Sequence, residues 1–261
     1  MRHLSAAAPN EFKDVRFVLT DMDETLTYQG RLAADTYCAL EKLQKAGIRV
    51  IPVTAAPAGW CDQMARMWPV DGVIGENGGI FLQRTPDGHG IVRKYWHPES
   101  EIKSVSERLD AAAHAIRHAF PNLQLADDQV FRLTSIAFSR PADPALGEQI
   151  VRELQRAGAD ATINNLWVLG WFGGYNKLSM TRRVMAEAYG VDIDKDRDTV
   201  LYTGDSTNDA PMFAFFKHTV GMSTVTEYLP DIPVPPNWIT TGPGGQGFVE
   251  AAQAVIASQP T

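Results

Sequence analysis

Asp21 and Asp23 stand two residues apart, directly after the apolar run Phe17-Val18-Leu19-Thr20, in the stretch Asp21-Met22-Asp23-Glu24-Thr25-Leu26-Thr27. A buried strand that delivers paired carboxylates can hold a divalent cation and attack an electrophile. Far downstream, Val200-Leu201-Tyr202-Thr203 runs into Gly204-Asp205-Ser206-Thr207-Asn208-Asp209, a second acidic cluster at the end of a second strand-like run. Two such strand ends imply one Mg²⁺ site assembled from distant parts of the chain.

The elements that must position these groups alternate along residues 15–82. Val15 to Thr20 reads as a strand, Tyr28-Gln29-Gly30 as a turn in a short hairpin, and Ala34 to Ala46 as a helix with Tyr37, Leu40 and Leu43 at helical spacing before Gly47. Ile48 to Val53 is the next apolar strand, Gly59 to Met67 a short helix, and Val73-Ile74 a strand ending in Gly75-Glu76-Asn77-Gly78-Gly79. Strand and helix in alternation are the pattern of a parallel sheet with right-handed crossovers. The pattern resumes with a helix over Leu178 to Tyr189, a strand over Thr199 to Thr203, and a short helix from Asp209 to Phe216. Strands at Thr219 to Met222 and Trp238 to Thr240 and a helix from Phe248 to Ala257 close the chain.

Between these halves the rhythm changes. A Pro-Asp-Gly turn separates Ile80-Phe81-Leu82 from Ile91 to Tyr95, a hairpin signal. A helix from about Glu101 to Ala119 follows, then a strand from Phe131 to Ser139, a helix from about Pro144 to Arg156, and a hairpin around Asn164-Asn165. The expectation is an α/β protein: a doubly wound, Rossmann-like parallel-sheet core at residues 1–82 and 173–261, with an inserted α+β cap domain at 83–172.

Ligands of open parallel sheets bind beyond the carboxyl ends of the strands. There the sequence places Asp21, Asp23, Thr54, Asp205 and Asp209, with Lys177 entering at a helix start. A phosphoester demands a nucleophile, a cation for the developing charge and a proton donor for the leaving alcohol. Asp21 suits the nucleophile, Asp23 an acid that later activates water, and Asp21 with Asp205 opposite sides of one Mg²⁺.

This combination resembles the Mg²⁺-dependent phosphatases of the haloacid dehalogenase (HAD) superfamily. The family's DxDxT motif stands at Asp21 to Thr25 and its GDxxND motif at Gly204 to Asp209; Thr54 matches the strand-ending Thr or Ser, and Lys177 the helix-opening Lys. The glycine-rich run at 75–79 resembles the Cof-type and sugar-phosphatase branch, in which a large α+β cap lies between the second and third motifs. The resemblance implies a phosphoaspartyl intermediate on Asp21, with Asp23 as acid/base and its main-chain carbonyl on Mg²⁺. It also implies Asp205 as a metal ligand and Asp209 as support for the metal. Thr54, Ala55 beside it, Lys177 and Asn208 would contact the phosphoryl group. Many relatives carry Gly-Arg after the motif-two Thr or Ser, whose Arg can contact substrate; here Thr54-Ala55-Ala56-Pro57 stands instead, which leaves phosphoryl binding intact but weakens the transfer of any one relative's substrate preference.

Other residues have plainer readings. Glu76 and Asn77 read as turn residues of the glycine loop, His114 and His118 as one helix face, and Cys38 as packing. Trp96, Trp167, Trp171 and Phe172 read as cap core before a sugar platform, and Arg132 and Arg140 are candidates to meet a second anion on the substrate.

With 261 residues, 44% hydrophobic and 21% charged, the chain is of ordinary globular composition. A net charge of −7 argues against a nucleic-acid surface. Two cysteines without a CxxC pair imply neither a disulfide framework nor structural zinc, and no apolar run reaches the ~20 residues that span a bilayer. The expectation is a cytoplasmic, Mg²⁺-dependent phosphatase, monomer or homodimer, acting on a small phosphorylated metabolite, which the resemblance alone implies to be a sugar phosphate or similar. A phosphomutase on the same fold and a non-catalytic phosphometabolite sensor are the alternatives.

Overall fold

The computed structural model describes residues 1–164 and 166–259. Among them the main sheet has six parallel strands, in the order β1 (Arg2–His3), β14 (Trp238–Ile239), β13 (His218–Gly221), β12 (Val200–Gly204), β2 (Phe17–Thr20) and β5 (Arg49–Pro52). From β2 the chain moves to one side, through the small hairpin β3 (Thr27–Tyr28) and β4 (Arg31–Leu32) and helix α1 (Ala34–Lys45), into β5. It returns on the other side of β2 at β12. The strand order therefore reverses at β2, and the loops after β2 and β12 diverge from a common crevice.

The strands are apolar throughout because both faces are covered. Val18, Val50 and Leu201 meet Leu40 and Leu43 of α1, Met64 of α2 (Ala58–Met67) and Val255 of α7 (Gly244–Ala257). Phe17, Leu19, Ile51 and Tyr202 meet Met180, Val184 and Met185 of α5 (Lys177–Tyr189) and Phe213 of α6 (Ala210–Phe215) on the other face. Arg2 and His3, for which no element was expected, pair with β14 at the sheet edge.

Beyond β5, β6 (Val73–Gly75) attaches through the parallel bridge Val53 to Ile74, then pairs antiparallel with β7 (Ile80–Arg84), which pairs with β8 (Ile91–Tyr95). Ile80 and Leu82 pack on one side of this extension and Phe81 on the other, all within the core clusters. The hairpin expected to open the insert thus extends the core layer, and β7 runs across the expected boundary at 82/83. We propose a cap beginning near residue 98.

The cap contains α3 (Ile102–Ala119), β9 (Ser135–Ser139), α4 (Pro144–Arg156), β10 (Asp160–Ile163) and β11 (Trp167–Trp171), its antiparallel strands ordered β10-β11-β9. Leu109, Ile116, Ile150 and Leu154 of the two helices pack on Ile136, Phe138 and Val168. The opposite sheet face turns Ala137, Leu169 and Trp171 toward Ala55 and Tyr175. Asn165 of the expected Asn164-Asn165 turn lies outside the described residues. Strand β9 is shorter than the expected Phe131 to Ser139, because the N–H groups of Leu133 and Thr134 donate to the Glu76 carboxylate at 2.8 Å each instead of joining the ladder. No helix among the described residues is long and apolar enough to cross a membrane.

Candidate active site

Strands β2 and β12 are stapled where they end. The Thr203 hydroxyl donates to the Thr20 hydroxyl and the latter to the Asp21 carbonyl, at 2.7 Å each, while the Asp21 N–H donates to the Thr203 carbonyl at 2.9 Å. These bonds fix the Asp21 backbone before its side chain is considered. The chain then doubles back: the Met22 carbonyl accepts from the N–H groups of Leu26 and Thr27, and Glu24 takes a left-handed φ of 56°. Thr25, buried by that turn, donates its hydroxyl to Asp205 Oδ1 at 3.1 Å and so ties the first acidic segment to the second.

Lys177 opens α5 behind an Asn176–Ser179 capping box, which holds the helix start at the mouth of the crevice. Its side chain is 2% exposed, and its ammonium lies 2.9 Å from Asp21 Oδ1 and 2.7 Å from Asp209 Oδ1. Asp209 also accepts from the Tyr202 hydroxyl on Oδ1 and from the N–H groups of Asp205 (2.9 Å) and Ser206 (3.2 Å) on Oδ2. Four donors occupy the four lone-pair positions of that carboxylate. Asp209 therefore orients Lys177 and the 204–206 turn. Gly204 is obligatory there, since a Cβ would lie 2.5 Å from Asp209 Oδ2.

Oxygens of Asp21, Asp205 and Asp209 lie within 4.8 Å of one another. Three carboxylates around one ammonium leave two negative charges, which one divalent cation would balance, and an all-oxygen donor set suits Mg²⁺. Without that cation the cluster resists ionisation. Burial, only partly offset by Lys177, pushes Asp21 up to about 7. Burial and the neighbouring Asp209 and Asp21 hold Asp205 well above the ordinary carboxylate range. Burial opposes the charge on Lys177, but Asp209 and Asp21 outweigh it and leave the ammonium more basic than usual.

Asp23 does not join this cluster. It is half-buried at the cap side, and burial pushes it up to about 6, where one carboxyl can both give and take a proton near neutrality. Thr54, fully buried at the end of the strand beside β2, receives the Ala56 N–H on its hydroxyl at 3.0 Å, which leaves its own proton to donate. Ala55 lies under the cap, and Asn208 is half-buried on the turn after Asp205, its side chain accepting from the Ser206 hydroxyl.

Tyr202 and Thr25 were not assigned roles from sequence, and neither was the seam between core and cap. Glu76 is more than a turn residue. Its carboxylate accepts from Ala58 N at the start of α2 and, across the seam, from Leu133 N, Thr134 N, Thr134 Oγ1 and Ser135 Oγ. Gly79 permits this approach, since a Cβ there would strike Thr134 and Tyr175; at Gly78, φ 111°, a Cβ would lie 2.6 Å from the Asn176 carbonyl oxygen at the start of α5. Arg132 pairs bidentately with Asp128 at 3.1 Å and donates to the Ala55 carbonyl at 3.0 Å. Two of the plainer readings also change: Cys38 is exposed, not packed, and Trp96 and Trp167 are half-buried at the seam while Trp171 and Phe172 are buried.

No protein-family model matches the sequence, and no curated protein does. Solved structures do. A protein from Thermoplasma acidophilum superposes with a TM-score of 0.72 at 18% identity, over 93% of this chain and 99% of its own. A haloacid dehalogenase-like hydrolase from Bacteroides thetaiotaomicron gives 0.62 at 15% identity, over 92% and 99%. A phosphatase of the haloalkanoate (HAD) enzyme superfamily from the same organism gives 0.61 at 20% identity, over 97% and 99%. Likeness over more than nine-tenths of each chain covers core and insert together. The chain has the fold of the HAD-superfamily hydrolases, a Rossmann-like core carrying an inserted α+β cap.

Proposed function

We propose that the protein is a Mg²⁺-dependent phosphatase that hydrolyses small phosphate monoesters through a phosphoaspartyl intermediate on Asp21. The observation that carries this reading is the buried Lys177 ammonium set between Asp21 and Asp209, with Asp205 inside the same 4.8 Å cluster. Such an arrangement has little structural purpose, because three buried acids around one base cost more than apolar packing would. It is well suited to a phosphoryl group and a cation.

Asp21 and Asp205 would hold the ion, with the Asp23 main-chain carbonyl, while Asp209 orients Lys177; the bound cation would neutralise charge on the phosphoryl oxygens. An Asp21 carboxylate oxygen attacks phosphorus as the bond to the leaving oxygen breaks, and Asp23 gives that oxygen its proton. Asp23 then takes a proton from water, whose oxygen attacks phosphorus, and the bond from phosphorus to Asp21 breaks to release phosphate. The Lys177 ammonium, the Thr54 hydroxyl and the backbone N–H at Ala55 receive the phosphoryl oxygens, with Asn208 beside them. The cap keeps bulk water out during the first half-reaction.

Phosphate release from a panel of metabolite monoesters, with and without Mg²⁺, tests the reading. Asp21→Asn should abolish release while the protein stays folded. Turnover retained by a clean Asp21→Asn preparation would refute the mechanism.

A further inference from the structure

The proton donor to the leaving oxygen must touch that oxygen, so the leaving group begins at Asp23. This inference rests on the phosphatase reading above. Asp23 lines two cavities. The larger, about 550 Å³, lies between the β3–β4 hairpin, α2 and the cap, and is walled by Met22, Leu32, Trp60, Met64, Trp68 and Phe131. The smaller, about 220 Å³, lies under the cap against Ala55, Trp60, Asp127, Asp128, Arg132 and Trp167. Trp60 is 47% exposed and Phe131 50%, so two aromatic faces from core and cap stand open at the mouth of the larger space.

The one cation lining either cavity among the described residues is Arg132, and it is ion-paired. Its side chain is 1% exposed, it is forked onto Asp128 through Nε and Nη2, and its Nη1 donates to the Ala55 carbonyl and the Ser135 hydroxyl. Arg140 donates to the Asn164 carbonyl and lines other cavities that do not reach Asp23. Neither cavity at Asp23 therefore presents an unpaired arginine to a second anion on the substrate. Asp127, exposed at the rim, adds an acid facing the smaller space. An anionic leaving group would leave water for cavities lined by carboxylates and by no unpaired cation, which selects against it. A large aromatic wall rewards apolar surface instead.

We propose that the substrate is a phosphate monoester whose leaving alcohol carries no second negative charge and lays an apolar face against Trp60 and Phe131. Phosphorylated acids and bisphosphates are disfavoured for want of an unpaired cation, and small polyol phosphates are poorer for want of apolar contact.

A matched set of esters tests this with Mg²⁺ present: phenyl phosphate, 4-carboxyphenyl phosphate and glycerol phosphate. The kcat/KM for phenyl phosphate should exceed that for the carboxylated ester by about tenfold or more, the size of one uncompensated charge a few ångströms from like charges at a partly screened site. That ratio should shrink with added salt and in Asp127→Lys. Trp60→Ala should cut phenyl phosphate turnover several-fold more than glycerol phosphate turnover. A carboxylated ester hydrolysed as well as phenyl phosphate, or an unchanged phenyl-to-glycerol ratio in Trp60→Ala, overturns the proposal while leaving the phosphatase reading intact. Silence on every ester, phenyl phosphate included, overturns the phosphatase reading and this one with it.

Discussion

Glu76 is the residue whose loss should be felt furthest from its own position. It sits in the left-handed region, φ 50°, and is 1% exposed, with both carboxylate oxygens turned to donors. Ala58 N (3.0 Å) and Leu133 N (2.8 Å) meet one oxygen; Thr134 N (2.8 Å), Thr134 Oγ1 (3.0 Å) and Ser135 Oγ (2.6 Å) meet the other. In Glu76→Ala the two hydroxyls can rotate to new partners, but the three N–H groups cannot. At ~1–3 kcal/mol for each stranded donor, with some repaired by entering water, the loss should be on the order of 3–6 kcal/mol. For a chain of this size that is a fall in Tm on the order of 10 °C. Glu76→Gln keeps the volume but sets an NH₂ against at least one N–H and removes the charge assistance, so about half that loss is expected. Thermal and urea unfolding measure the totals, and amide hydrogen exchange at Ala58, Leu133 and Thr134 localises them. If Glu76→Ala unfolds within ~0.5 kcal/mol of the parent, the range of an inconsequential surface change, or if those three amides keep their protection, the carboxylate is not what joins core to cap.

Two more expectations concern the acidic cluster. Lys177→Met leaves Asp21 and Asp209 without their buried cation and should cost about 3–5 kcal/mol in metal-free protein, with loss of phosphate release; turnover retained would refute its place in the site. Asp21, pushed up to about 7, and Asp205, also raised, hold protons in the folded state that the unfolded chain releases near pH 4. Their contribution to stability is therefore complete below pH 4 and is lost as pH rises through the folded values, by at most about 1.4 kcal/mol per pH unit for each proton. Added Mg²⁺ should accordingly raise the Tm more at pH 8 than at pH 5.5, and the reverse order in a thermal-shift series would contradict this account.

Much of the fold is legible because its signals are local. The helix over Ala34 to Lys45 and that over Pro144 to Arg156 follow from apolar spacing, with Gly47 ending one and Asp143 capping the other. Lys177 as a helix start is legible from the Asn176 and Ser179 around it. The β7–β8 hairpin is equally visible, but its allegiance is not: nothing in Ile80 to Tyr95 says that its partner is β6 and its floor the core. The truncation of β9 is likewise non-local, since Leu133 and Thr134 look strand-like until Glu76, more than fifty residues earlier, claims their N–H groups.

The sequence alone determined which groups are present and which strand ends deliver them, because burial of an apolar run and the acid that terminates it are properties of neighbouring residues. Asp21, Asp23, Asp205 and Asp209 could be named that way. Only the tertiary structure decided how they are arranged. The reversal of strand order at β2 brings Asp205 and Lys177 to Asp21, saturates Asp209 with four donors and leaves Asp23 outside the cluster, facing the cap. It also decided that Arg132, a bare cation in the sequence, is forked onto Asp128 and bonded to the Ala55 carbonyl. Charge in a sequence is a count, whereas the charge a ligand meets depends on which partners the fold has already supplied.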